Sequence, residues 1–297
     1  MNSHRNAARK FILALTLAAL TAVGLRVAFA QEAEAPPRQT WPFAGPFGTY
    51  DQAQLQRGFK IYKEVCANCH SLKLIAFRNL ADPGGPGFTE AQAATIAEGY
   101  QITDGPNDQG QMYQRPGRIA DYFPPPFPNE QAARAALGGA LPPDMSVLAK
   151  ARSYEAGFPW FILDALTQYQ EDGPDYIHAI VNGYSDAPSG FTLPPGAQYN
   201  RYFPGHAIGM PKPLSDGQVE YTDGTPTTVD QYGRDVATFL MWTAEPTLDA
   251  RKRLGFQVMI FLIVFTGLLY FSKKRVWHAV LHDPDLEKPR APTEYHS

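Results

Sequence analysis

The chain has 297 residues, 27 prolines, 25 glycines, a formal net charge of −3 and only two cysteines, so it has no disulfide framework and must draw its stability from a packed core. The charge is uneven: residues 31–250 hold 14 Lys+Arg against 25 Asp+Glu, a net of −11. A surface that acidic excludes a nucleic-acid binder, which needs a basic face, and suits a cationic protein partner steered by long-range attraction.

The first 30 residues read as an export signal. Arg5, Arg9 and Lys10 make a basic start, Phe11 to Leu25 is an apolar run of 15 residues, and Ala28-Phe29-Ala30 is a cleavage site. The run is short for a membrane span of about 20 residues, so cleavage rather than anchoring is expected. Residues 31–48 are rich in Pro and Gly and read as an extended arm with Trp41, Phe43 and Phe47 as anchors.

A helix is predicted from Asp51, an N-cap, with Leu55, Phe59 and Tyr62 on one face. It leads into Cys66-Ala67-Asn68-Cys69-His70, the C-x-x-C-H spacing of covalent haem attachment. Two thiols at this spacing can add to the two vinyl groups of one haem, and the next imidazole is then held over the iron. A zinc site would need about two further ligands at motif spacing. A redox dithiol would sit near a βαβ pattern, and the chain has none. Helix and motif are expected to form one rigid element.

Further helices are predicted at Thr89–Tyr100, capped by Thr89; at Asn129–Leu137; and at Met145–Arg152, capped by Asp144. Phe158–Tyr169, Asp175–Val181 and Thr228–Ala244 are also expected to be helical. Residues 103–128 and 186–213 read as Pro- and Gly-rich loop, and Val219-Glu220-Tyr221 as a short strand. Long loops are unusual in a compact domain, but a bulky buried cofactor gives them a surface to wrap. Leu254–Phe271 is 18 uncharged residues between Arg251-Lys252-Arg253 and Lys273-Lys274-Arg275, long enough at about 1.5 Å per residue to cross a bilayer.

The second axial ligand decides what a haem does. Met145, Met241 and Met259 fall in helices, whereas Met112 and Met210 fall in loops that can present a sulfur end-on. His178 and His206 are the histidine alternatives. Glycine beside Met210 and Pro211 after it favour that loop, without deciding the matter.

The chain resembles the cytochrome c1 family, the haem subunit of the cytochrome bc1 complex. The resemblance rests on Arg57-Gly58-Phe59 leading into V-C-A-N-C-H, D-G-P-N at 104–107 and R-P-G-R-I-A-D-Y-F-P at 115–124. It continues through G-A-L-P-P-D-M-S at 139–146, Y-F-P-G-H-A-I-G-M-P at 202–211 and D-G-T-P at 223–226, in collinear order. It implies a mainly α, cytochrome c-like haem domain with long Pro-rich loops plus one C-terminal transmembrane helix. It implies one haem c on Cys66 and Cys69, ligated by His70 and Met210, with Arg152 against a propionate and Pro143 packed near the ring. It implies cytochrome b and a Rieske iron–sulfur protein as complex partners and a cytochrome c as acceptor. The domain order expected is a signal at 1–30, a periplasmic haem domain at 31–250, an anchor of a bacterial inner membrane at 251–273 and a cytoplasmic tail at 274–297. Tyr154–Gly173 reads as additional sequence relative to many members. The competing expectation is a membrane-anchored haem c peroxidase or a freestanding tethered electron shuttle.

Overall fold

The computed structural model describes residues 33–154, 158–167, 169 and 171–282. The predicted export signal lies outside the described residues. The chain divides into two compact units, 1–249 and 250–297. In order the described elements are α1 (Gln52–Glu64), α2 (Glu90–Glu98), β1 (Gln101–Asp104), β2 (Tyr113–Pro116), α3 (Glu130–Ala136), α4 (Leu148–Ala151), α5 (Trp160–Thr167), α6 (Asp172–Asn182), β3 (Gln198–Tyr199), β4 (Ala207–Ile208), α7 (Val229–Ala244) and α8 (Leu248–Leu281). The protein is mainly helical, with two small antiparallel ladders, β1–β2 and β3–β4.

The first unit is built on the crossing of α1 and α7. Asp51 caps α1 by accepting from the Gln54 amide at 2.7 Å, and Leu55, Phe59 and Tyr62 are buried on the predicted face. Phe59 and Tyr62 meet Phe239 of α7 at ring-centroid distances of 5.7 and 5.8 Å. Close approach is possible because residue 58 is glycine: a β-carbon there would lie 2.1 Å from the Asp235 carbonyl oxygen. Asp235 is fully buried and pairs with Arg57, whose Nε donates to it at 3.0 Å, while Arg57 Nη1 reaches Asp223 at 2.7 Å. Tyr221 and Gln231 also donate to Asp235, at 2.8 and 2.9 Å. A buried carboxylate is stable only when paired and hydrogen-bonded in this way.

α2 is capped by a reciprocal Thr89–Gln92 box, and α3 by Asn129. Met145–Arg152 is shorter than predicted: only Leu148–Ala151 is helical, and the residue at its N-cap position is Val147, not Asp144. The segment read as loop at 103–128 contains part of a hairpin. Arg115 bridges its strands by pairing with Asp104, and reaches past it to both Asp121 oxygens at 2.6 and 2.9 Å. Val219–Tyr221 is not a strand. The Tyr232 hydroxyl takes both backbone groups of Val219, accepting from its amide at 3.0 Å and donating to its carbonyl at 2.5 Å, so none is left for a ladder.

In the N-terminal arm Trp41 and Phe43 are buried as predicted, but Phe47 is 74% exposed. The additional segment closes on this arm. Arg38 lies over the Trp160 and Tyr169 rings at 4.8 and 4.4 Å and pairs with Asp164 at 2.6 Å. Asp175, fully buried, accepts from the Gln39 amide at 2.9 Å, the Trp41 indole at 2.8 Å, and the Tyr154 and Tyr169 hydroxyls.

The helix α8 carries the apolar stretch. It is 34 residues long, about 51 Å at 1.5 Å per residue, and its apolar window has a mean hydropathy of 2.2 with none of it buried. It is the one helix among the described residues long and apolar enough to cross a membrane. It begins before residue 251 and continues past residue 273, so both basic clusters are helical.

Candidate functional site

α1 does not carry the thiols itself. It stops at Glu64, and Cys66–Asn68 forms a separate 3₁₀ turn, corrected from the single rigid element that the sequence predicted. The Cys66 carbonyl closes the turn by accepting from the Cys69 amide at 3.1 Å and the His70 amide at 2.9 Å. Cys66 and Cys69 are both half-buried and not joined to each other. Burial, with Cys69 adding a smaller repulsion, pushes the Cys66 thiol up to about 12. An active redox dithiol has the opposite signature, a depressed thiol. Among the described residues no group of three or more His, Cys, Asp or Glu could hold a metal ion by itself.

His70 is 8% exposed, and its Nδ1 lies 2.8 Å from the Pro143 carbonyl. A carbonyl only accepts, so Nδ1 carries the proton and Nε2 is left with a lone pair. Burial holds the imidazole below its ordinary pKa, against the opposing pull of the Pro143 carbonyl and Asp144, which keeps it neutral. A neutral ring with its far nitrogen hydrogen-bonded to a carbonyl is the usual state of a metal-ligating histidine. Two neighbouring thiols followed by such an imidazole fit a haem. Sequence reasoning assigned Pro143 a packing role and missed its carbonyl, because backbone acceptors leave no mark on residue identity.

The segment around Pro143 is laced to the chain beyond His70. Asp144 accepts from the Ser71 hydroxyl at 2.7 Å and the Lys73 amide at 2.9 Å, and the Ser71 carbonyl accepts from the Met145 amide at 2.8 Å. Ser146, fully buried, accepts from the Leu74 amide at 3.0 Å. A cleft of ≈ 320 Å³ beside it is lined by Cys69, Ser71, Lys73, Leu141, Pro142 and the 125–131 segment.

Met210 is half-buried in the loop after β4. Tyr184 donates to its carbonyl at 3.1 Å, and the Gln198 side chain accepts from the Lys212 amide at 3.1 Å. Its neighbour Gly209 faces the Pro143 segment, where a β-carbon would sit 3.5 Å from Ala140. The loop stands on Asn200, fully buried, which donates to the Ile180 carbonyl at 2.7 Å and accepts from the Tyr202 amide at 3.0 Å. The other candidates are placed differently. Met145 and Met241 belong to the core cluster, and Met112 is 60% exposed. His178 bonds Asp230 at 2.9 Å, and His206 stacks on Tyr199 with ring centroids 5.3 Å apart. Arg152 is exposed at the end of α4 and makes no ion pair among the described residues.

Comparison with known proteins agrees with this geometry. The pattern of the Cytochrome C1 family matches residues 41–280. The chain belongs to the cytochrome c1 family. It is 61% identical over 275 residues to a cytochrome b/c1 of Bradyrhizobium diazoefficiens, covering 90% of this chain but 40% of that protein. It is 48% identical over 273 residues to a cytochrome c1 of Blastochloris viridis, covering 91% of this chain and 96% of that one. A mitochondrial cytochrome c1 heme protein of Saccharomyces cerevisiae is 44% identical over 245 residues, 82% of this chain and 72% of its own length. Family membership makes this a haem-binding electron-transport subunit with a single membrane helix among the described residues. Two of the matching stretches now have physical reasons. Gly58 admits α7, and Asp121 of the R-P-G-R-I-A-D run holds Arg115 while its carbonyl accepts from the Phe77 amide, just beyond the motif, at 2.9 Å.

Proposed function

We propose that the protein is the electron-transfer subunit of a quinol–cytochrome c reductase, with one haem c bound covalently through Cys66 and Cys69 and ligated by His70 and Met210. The observation that carries this is the His70–Pro143 hydrogen bond, which leaves Nε2 unengaged directly after two unjoined thiols. A haem held there would exchange single electrons between Fe(II) and Fe(III), with no bond made or broken. The chain's own residues supply the rest. His70 Nδ1, bonded to Pro143, fixes the ring plane. The Met210 loop, held by Tyr184 and Asn200, offers a thioether, which holds a haem potential high. Arg152, without an ion-pair partner among the described residues, is available to a propionate. The turn at 66–70 and the Pro-rich segments around it limit water.

In this reading the electron comes from a Rieske iron–sulfur protein beside cytochrome b and leaves to a cytochrome c. The acidic balance of residues 31–250 speeds encounter with a basic acceptor in a salt-sensitive way. The haem domain faces the periplasm of a bacterial inner membrane, delivered there by the cleaved signal at 1–30, and the tail at 274–297 lies in the cytoplasm. The test is the absorption and magnetic circular dichroism spectrum of the wild type and Met210→Leu. The wild type shows the sulfur-to-iron charge-transfer band, and the variant loses it together with a fall in midpoint potential. A wild type without that band, or a variant with an unmoved potential, overturns the Met210 assignment. Co-purification with a b-type cytochrome and a Rieske protein in gentle detergent tests the complex.

A further inference from the structure

We propose that Asp144 is a positioning residue for the axial His70, setting both the orientation of the imidazole and the ease with which the haem is reduced. The proposal rests on the reading of His70 as iron ligand and adds a residue to it. Pro143 and Asp144 share one peptide unit, so the carbonyl that accepts from His70 Nδ1 at 2.8 Å is attached directly to the Asp144 backbone nitrogen. That peptide unit is not free to turn. On its Asp144 side the carboxylate is clamped by the Ser71 hydroxyl at 2.7 Å, the Lys73 amide at 2.9 Å and the Ser146 amide at 2.9 Å.

The clamp encloses His70 from both directions. Ser71, the next residue in the chain, donates its hydroxyl to Asp144 and accepts from the Met145 amide at 2.8 Å. The imidazole is thus the middle of a closed loop: ring to Pro143, Pro143 to Asp144, Asp144 to Ser71, Ser71 back to His70. A ligating histidine whose proton is held by a fixed acceptor keeps one tautomer and one ring angle. A negative charge next to that acceptor strengthens the pull on the Nδ1 proton and makes Nε2 a stronger donor to iron. Both effects favour Fe(III), so the carboxylate lowers the potential that the thioether raises. Outer hydrogen bonding and nearby charge are recognised levers on haem potential. Asp144 supplies both from one side chain. Sequence reading assigned it instead to cap a helix, a role the structure does not give it.

The experiment uses the full chain in detergent, purified with its haem, and measures the ratio of reduced to oxidised haem at fixed ambient potential and constant pH. Asp144→Asn keeps the shape and removes the charge. It shifts the ratio about tenfold toward the reduced form, ~59 mV for a one-electron couple. Asp144→Glu keeps the charge and restores at least half of that shift, which a purely structural role would not do. Ser71→Ala leaves the carboxylate in place without its hydroxyl donor, so the ratio moves the other way, about twofold toward oxidised; this variant decides the question if Asp144→Asn does not fold. The proposal is overturned if Asp144→Asn holds haem with an unmoved ratio, if Asp144→Glu behaves like Asn, or if Ser71→Ala moves the ratio toward reduced. Loss of histidine ligation in the wild-type spectrum would instead remove the reading beneath it.

Discussion

The two halves of the proposed haem site are held by different means. The His70 half is a short turn whose buried ligand, half-buried thiols and backbone bonds fall within five consecutive residues, cross-stitched to 143–146 by four further hydrogen bonds beyond that of His70 itself. The Met210 half is an irregular loop. Its only ladder is the two-residue pairing of β3 and β4, and its ligand is half-buried. Stiffness there comes from single side chains reaching in from elsewhere: Tyr184, Gln198 and above all Asn200. A ligand on a turn held by many bonds resists local opening. A ligand on an irregular loop held by a few single side chains is the one that lets go first.

The largest perturbation removes the brace behind the His70 half. Gly58→Val places a side chain where a β-carbon alone would be 2.1 Å from the Asp235 carbonyl. Backbone must move, and a loss of about 4 kcal/mol or more is expected. Thermal melting followed by circular dichroism checks it, and an unchanged melting temperature would mean that α1 and α7 do not cross as described. Next, Asn200→Ala strips two buried hydrogen bonds from beneath the Met210 loop and should cost ~2–3 kcal/mol. The contrast is sharpened by asking which ligand suffers: methionine ligation should be lost at a lower denaturant concentration than histidine ligation. Simultaneous loss would show the two halves to be one cooperative unit.

Tyr184→Phe is gentler. It removes one hydrogen bond, to the Met210 carbonyl, worth about 1 kcal/mol. Added imidazole should displace the thioether roughly fivefold more readily, by the ~1.4 kcal/mol per tenfold rule. The smallest effect is a pH dependence under the same loop. Burial, reinforced by Arg234 and opposed by Asp230, holds the His178 pKa below its ordinary value. His178 is on α6, packed against α7 at Gly233. Its neutral form belongs to the folded state, so its contribution is complete above about pH 6.5 and is lost as pH falls through the depressed value. The melting temperature should therefore drop as pH falls below about 6.5, and drop less in His178→Asn. Equal slopes would remove His178 as the cause.

Much of this was legible in the sequence where the signal is local. Asp51 and Thr89 cap the helices they were expected to cap, because a cap bonds an amide two or three residues away. The thiols and His70 were legible for the same reason. Asp144 looked like a third cap and is not: the helix starts later, after Val147, while one Asp144 oxygen holds Ser71 and Lys73, distant in sequence, and the other the Ser146 amide. The β1–β2 hairpin was hidden by its exposure: neither strand buries a residue, so no apolar alternation marked it. The Pro143 carbonyl and the Asn200 footing were invisible, one because it is backbone and the other because a lone Asn in a loop reads as surface.

The glycine at position 58 also sets an order of events. Phe59 and Tyr62 of α1 meet Phe88 and Phe123, but the Gly58 crossing and the Phe239 contacts wait for α7, whose first residue is 229, so the helix that leads into Cys66 and Cys69 is not fully packed until nearly the whole first unit has been made. At synthesis rates of ~5–20 residues per second that interval is on the order of 10 s. Contacts this far apart in sequence also close slowly once both partners exist. In the proposed reading, the attachment of a bulky planar group to the two thiols belongs to that interval, on a domain still unfinished, before α7 locks α1 in place.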